Sequence, residues 1–184
     1  DIIAEQVSED EQARNTVRFA FSRQAVITAK VVKGKETEAD KYRDYFEFSK
    51  PLKKCTSHQL LAIRRAEAEG LLKVSISPDD EECVERLERR FVRSNNACGE
   101  QVAEAVQDAY KRLLKSSIET EFAAQSKEQA DEEAIRVFVQ NLRQLLLASP
   151  LGQKRVMGID PGFRTGCKVI CLDAQGNLLH NENI

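Results

Sequence analysis

The stretch Arg155–Asn183, RVMGIDPGFRTGCKVICLDAQGNLLHNEN, governs how the rest of the chain is read. Val156, Met157 and Ile159 form an apolar run ending at Asp160, where Pro161-Gly162 breaks it. Cys167-Lys168-Val169-Ile170-Cys171-Leu172 makes a second run, closed by the turn residues Asp173-Ala174-Gln175-Gly176-Asn177. Leu178 and Leu179 begin a third. Short β-rich runs, each closed by Gly, Pro, Asn or Asp, predict a β-meander. Asp160 falls where the first strand stops, with Gly158, Gly162 and Gly166 around it. Few side chains crowd that point, so a phosphate or a metal ion has room to approach the backbone.

Upstream of this stretch the period changes. Ser149-Pro150-Leu151-Gly152 ends a long helical pattern, which places a domain boundary between a multi-helical domain, 1–150, and the start of an α/β domain, 153–184. The fold class is therefore mainly α, a multi-helical domain followed by the first hairpin or meander of an α/β domain. A sheet of three short strands is marginal alone. The expectation is an internal piece of a longer protein, its second domain only begun.

The 184 residues suffice for one or two domains and a sizeable core. Charged residues make up 32%, aromatics 6%, and Trp is absent, a composition that suits a helical, soluble chain. The net charge of −2 gives no global basic field, so any contact with nucleic acid has to be local. Five cysteines (Cys55, Cys83, Cys98, Cys167, Cys171) form no CxxC pair and read as reduced thiols of a cytoplasmic protein rather than a metal or redox site. No apolar run approaches the about 18 residues of a membrane span.

Along the helical part, Val17, Ala20 and Phe21 recur at helical spacing, and Ala25–Val32 is compatible with helix or strand. In Glu36–Phe48 four aromatic residues interleave with charge. They serve either base stacking or, the bland reading, a short helix packing its rings on the core. Thr56-Ser57 is a helix-start pair, His58 to Glu69 a helix with Leu60, Leu61, Ile63 and Ala68 inward, and Gly70 its C′ residue. Lys53, Lys54, Arg64 and Arg65 are the candidate nucleic-acid-binding residues, a small phosphate-facing patch; the alternative is a solvated face. His58 reads as a capping or surface histidine. Leu71–Ser77 reads as a β-like connector. Ser77-Pro78-Asp79-Asp80 predicts a helix with Ser77 as N-cap, its acids early and its arginines late. Val102, Val106, Ala109 and Leu113 continue the helical period, and Ile118 and Phe122 carry it on after a bend at Ser116-Ser117. A last helix, Lys127–Ala148, is expected to bury Ala134, Phe138, Leu142, Leu145 and Leu146.

Asp160 is the one carboxylate in a setting that suggests chemistry. Two-metal phosphoryl chemistry needs several carboxylates around ions about 3.5–4 Å apart, and Asp173 sits at the far end of the second strand. Taken alone, Asp160 reads as a turn-forming aspartate.

GIDPGFRTG, then a hydrophobic strand, then DAQGNLL, resembles the opening β-meander of RNase H-like domains of the Holliday-junction-resolvase (YqgF) type. More widely, KVVKGKETEADKYRDYFEFSKPLKKCTSHQLLAIRRAEAEGLL, the helical region after it and VMGIDPGFRTGCK resemble, in order, the Tex family of bacterial transcription accessory proteins. The resemblance covers nearly the whole chain. It implies a cytoplasmic protein whose partners are nucleic acid, RNA or DNA, and the transcription machinery, and no membrane. It also implies helix-hairpin-helix elements and an oligonucleotide-binding-fold domain further along the intact protein. Asp160 matches the first acidic position of the resolvase-type site, which makes it the candidate catalytic and metal-binding residue. Mg²⁺ is the cofactor that a complete, active domain of this type takes; the residues here are expected to hold none and to form no enzyme by themselves. The function expected is thus a helical scaffold and nucleic-acid-binding module. The alternatives are a metal-dependent nuclease centred on Asp160 and a protein-interaction scaffold. A third rival, the sugar-kinase/actin/Hsp70 ATPase group, shares GxDxG, but Phe163-Arg164 intervene here before Thr165.

Overall fold

The computed structural model describes residues 1–162 and 166–184. The chain forms two compact units, Asp1–Phe138 and Val139–Ile184.

The first unit opens with α1 (Ile2–Glu9) and α2 (Glu11–Gln24). Asp10 separates them and caps the second, its carboxylate accepting the Ala13 N–H at 2.7 Å. Val7, Ala13, Val17, Ala20 and Phe21 are buried. The stretch after Ala25, left open between helix and strand, is strand β1 (Val26–Val31), and Ile27 and Ala29 bury alternate positions as a half-covered strand requires. It pairs antiparallel on one side with β2 (Glu47–Pro51) and on the other with β3 (Leu72–Ser77), in the order β2-β1-β3.

The mainly α unit therefore contains a sheet, and Leu71–Ser77 is its edge strand rather than a connector. Glu119 covers that edge: its Oε1 accepts the Ile76 N–H at 2.6 Å and the Ser75 hydroxyl at 2.9 Å. Between β1 and β2 the aromatic segment forms a 3₁₀ stretch, Asp40–Tyr45. Tyr42 is buried with its hydroxyl on Glu69, and Tyr45, Phe46 and Phe48 pack on the core.

Next comes α3 (Ser57–Ala68), started by a capping box between Thr56 and Gln59. It is stopped at Gly70, whose φ of +68° only glycine takes without strain. In α4 (Asp80–Phe91) the cap is Asp79, whose Oδ1 accepts the N–H groups of Glu81 and Glu82. The expectation of Ser77 as cap fails because Ser77 belongs to β3 and Pro78 keeps it extended. The charge run of α4 is spent inside the fold, in Arg86–Glu82, Arg89–Glu85 and Arg90–Asp10 pairs.

From α5 (Ala97–Asp108), capped by Asn96, the chain passes through a π-helical stretch, Ala109–Leu114, into α6 (Lys115–Leu146). The expected bend at Ser116-Ser117 and the separate helix from Lys127 are absent; the widened turn lies just upstream and α6 is continuous. That turn carries Tyr110 and Leu114 into the core. There Tyr110 donates to Asp80 Oδ1 at 2.6 Å, Ser77 donates to the same oxygen at 2.9 Å, and the Lys115 ammonium meets Oδ2 at 2.5 Å. Burial acts to raise the Asp80 carboxyl, but these three donors outweigh it and hold it below its ordinary value.

The core runs from Ala4 to Ala130 and ends there. The positions expected to be buried further along α6 are exposed, Phe138 at 64% and Leu145 at 73%.

The second unit contains β4 (Val156–Asp160), β5 (Lys168–Leu172) and β6 (Leu178–Asn183), an antiparallel meander in sequence order. Asp173 makes the β5–β6 turn, accepting the Asn177 side-chain amide and the N–H groups of Asn177 and Gln175. These bonds lower its pKa. Gly166 is at φ +81°, and a Cβ there would come 2.4 Å from the Ile184 carbonyl oxygen, so the close β5–β6 approach requires glycine.

Candidate nucleic-acid interface

Lys53 and Lys54 lie on a single 3₁₀ turn, Leu52–Lys54, between β2 and α3. The turn is anchored to the sheet: the Leu52 N–H donates to the Ala25 carbonyl at 2.8 Å, and the Cys55 N–H to the Leu52 carbonyl at 3.1 Å. Both lysines are exposed, as is Arg65 on α3. Among the described residues, no ion pair takes Lys53, Lys54 or Arg65.

Arg64 behaves differently. Its side chain is 14% exposed, Nη1 bonds Glu67 at 2.7 Å, and Nε and Nη2 are buried without an acceptor. Of the four candidates, three therefore present charge to solvent and one is packed into the protein. His58 is exposed, with its ring 3.5 Å from the Thr56 hydroxyl at the helix start.

Lys53 also stands at the rim of a cleft of about 360 Å³ between the end of α2, the start of α3 and the middle of α6. Its floor is apolar: Leu60 and Ala130 are buried, and Phe21 and Phe122 meet with ring centroids 5.4 Å apart. Around the opening stand Arg23, Ser126, Gln129 and Glu133. The Arg23 guanidinium rests over the Phe19 ring, 5.0 Å from its centroid. Glu133 is held by the Ser57 hydroxyl. Cys55 lines the same cleft, and burial pushes its thiol pKa up. Sequence reasoning reached Lys53 and missed the cleft, whose walls come from residues up to about a hundred positions apart.

Asp160 ends β4, exposed, with Lys168 opposite it in register. No group of three or more His, Cys, Asp or Glu able to hold a metal ion occurs among the described residues. One aspartate does not make a two-metal site. Phe163–Thr165, on which the contrast with a phosphate-holding GxDxG hairpin turns, lie outside the described residues.

These two units, a helical body with its cationic turn and a meander opening on Asp160, coincide with two family models. The Tex central region-like model matches residues 1–138, and the Tex protein YqgF-like domain model matches 154–184. The chain belongs to the Tex family. Its relatives include the transcriptional accessory protein Tex of Neisseria gonorrhoeae, 36% identical over 197 residues covering 99% of this chain and 26% of the relative. The Escherichia coli protein YhgF is 37% identical over 193 residues, covering 100% and 25%. The human S1 RNA-binding domain-containing protein 1 is 32% identical over 194 residues, covering 98% and 20%. This Tex-family chain thus spans 20% to 26% of the length of these curated relatives. No helix among the described residues is long and apolar enough to cross a membrane.

Proposed function

We propose that these residues form a helical scaffold and nucleic-acid-binding module of a Tex-family protein that acts in transcription. The observation that carries this reading is the pair Lys53 and Lys54, exposed and, among the described residues, in no ion pair, on a turn tied to the sheet. Arg65, likewise exposed and in no ion pair among the described residues, adds a cation on the next helix. Fixed cations of this kind position a phosphate backbone without reading sequence. The names of two relatives, a transcriptional accessory protein and an S1 RNA-binding domain-containing protein, support the same direction.

Fluorescence anisotropy of the chain with single- and double-stranded RNA and DNA across a salt series tests it. The expected result is binding whose log K falls linearly with log salt. The double substitution Lys53→Ala, Lys54→Ala should reduce that slope by about 2. Absence of binding at low salt would sink the reading.

A second reading, a protein-interaction scaffold, has one observation in its favour. Ile135, Phe138, Val139, Leu142, Leu145 and Leu146 recur at helical spacing on α6, and all are exposed. A surface of this kind marks an interaction site.

A further inference from the structure

We infer that the cleft beside Lys53 is a subsite for one phosphorylated nucleotide unit, either a free nucleoside monophosphate or the phosphorylated end of a strand. It deepens the nucleic-acid reading, and rests on that reading only where the nucleotide belongs to a strand.

Size comes first. About 360 Å³ lies within the roughly 300–1,000 Å³ of small-ligand sites. Charge comes second. Two cations, Arg23 and Lys53, face one carboxylate, Glu133, and that carboxylate is already engaged by the Ser57 hydroxyl. The surplus is positive and suits an anion, with the Arg23 fork matching phosphate geometry. The third argument is the floor. Phe122, Leu60 and Ala130 offer apolar surface that inorganic phosphate cannot use and a sugar or base can. Gln129 and Glu133 supply acceptors at the opening for ribose hydroxyls. An acidic peptide would satisfy the cations but leave the floor and these acceptors unused.

The test titrates the 184-residue chain with adenosine monophosphate, adenosine, inorganic phosphate and an octaglutamate peptide, followed by calorimetry. Adenosine monophosphate should bind at least about tenfold more tightly than each of the other three, a difference of one strong contact. Arg23→Ala and Ser126→Trp, which fills the opening, should each weaken it by about tenfold, while Arg89→Ala on the far-exposed side of α4 should not. Circular dichroism confirms that each variant is folded. Should Ser126→Trp misfold, the ligand comparison on the unaltered chain decides alone.

A ten-nucleotide RNA with a 5′-phosphate or a 5′-hydroxyl then separates the sources. A preference for the phosphate that Ser126→Trp abolishes assigns the subsite to strand ends; equal binding of both assigns it to free nucleotides. If adenosine monophosphate binds no better than adenosine, phosphate or octaglutamate, the inference is overturned. Persisting salt-dependent strand binding in that case leaves the proposed function standing. Nucleotide binding without any strand binding does the reverse.

Discussion

At Asp80 one carboxylate joins three parts of the chain: Ser77 at the end of β3, Tyr110 in the π-helical turn and Lys115 at the start of α6. Its pKa in the folded state is lowered, so the unfolded chain binds the proton more readily. The stability it contributes is present above the unfolded value of about 4 and is lost as pH falls through the folded value. Asp80→Asn should therefore unfold more easily at pH 7, by about 1 kcal/mol once solvent screening of a half-exposed pair is allowed for. It should also lose less stability than the parent on acidification. Thermal melting of both proteins from pH 7 to pH 2.5 gives the difference. Asp10, Asp108 and Asp173 are also held low, but they act equally in both proteins. Parallel curves would show that Asp80 contributes nothing. The sequence offered Asp80 only as a first-turn acid of α4; that it meets Tyr110 and Lys115, 30 and 35 residues on, depended on a π-turn that no local pattern announces.

At the scale of elements, α6 separates pattern from burial. Ile118 and Leu142 both sit on apolar stripes of α6, but at 3.6 residues per turn they lie on different faces of it, and Ile118 is 0% exposed and Leu142 39%. Ile118→Ala should cost about 2–5 kcal/mol, and Leu142→Ala less than about 0.5 kcal/mol, in urea denaturation of the chain. A large loss at Leu142 would mean that its side chain is covered in solution. The helical period of this stretch was legible because apolar spacing of three and four is a local property. What covers the stripe was not, because a partner is never written into the helix that needs it. The same distinction explains β1 to β3. β-Branched residues left 26–31 open between helix and strand and made 72–77 only a β-like connector; cross-strand pairing, with Ile27 against both Lys50 and Ile76, makes both of them strands of one sheet.

For the molecule as a whole, every buried core residue among the described residues lies between Ala4 and Ala130. Residues 1–138 should therefore fold without the rest, keeping helical circular dichroism and a cooperative melt. The three-stranded meander 139–184 should not fold alone. A 1–138 chain that melts without cooperativity would place part of the core elsewhere.

The helical periods, the start of α3 at Thr56 and its stop at Gly70, the meander around Asp160 and the family were carried by the sequence, since each rests on near neighbours or on motifs in fixed order. Asp80 bridging two helices, Arg64 turned inward while Arg65 stays out, and a cleft that places Arg23, Lys53 and Glu133 around one opening were decided by tertiary structure. They follow from which faces pack, and packing is fixed by contacts between residues far apart in the chain.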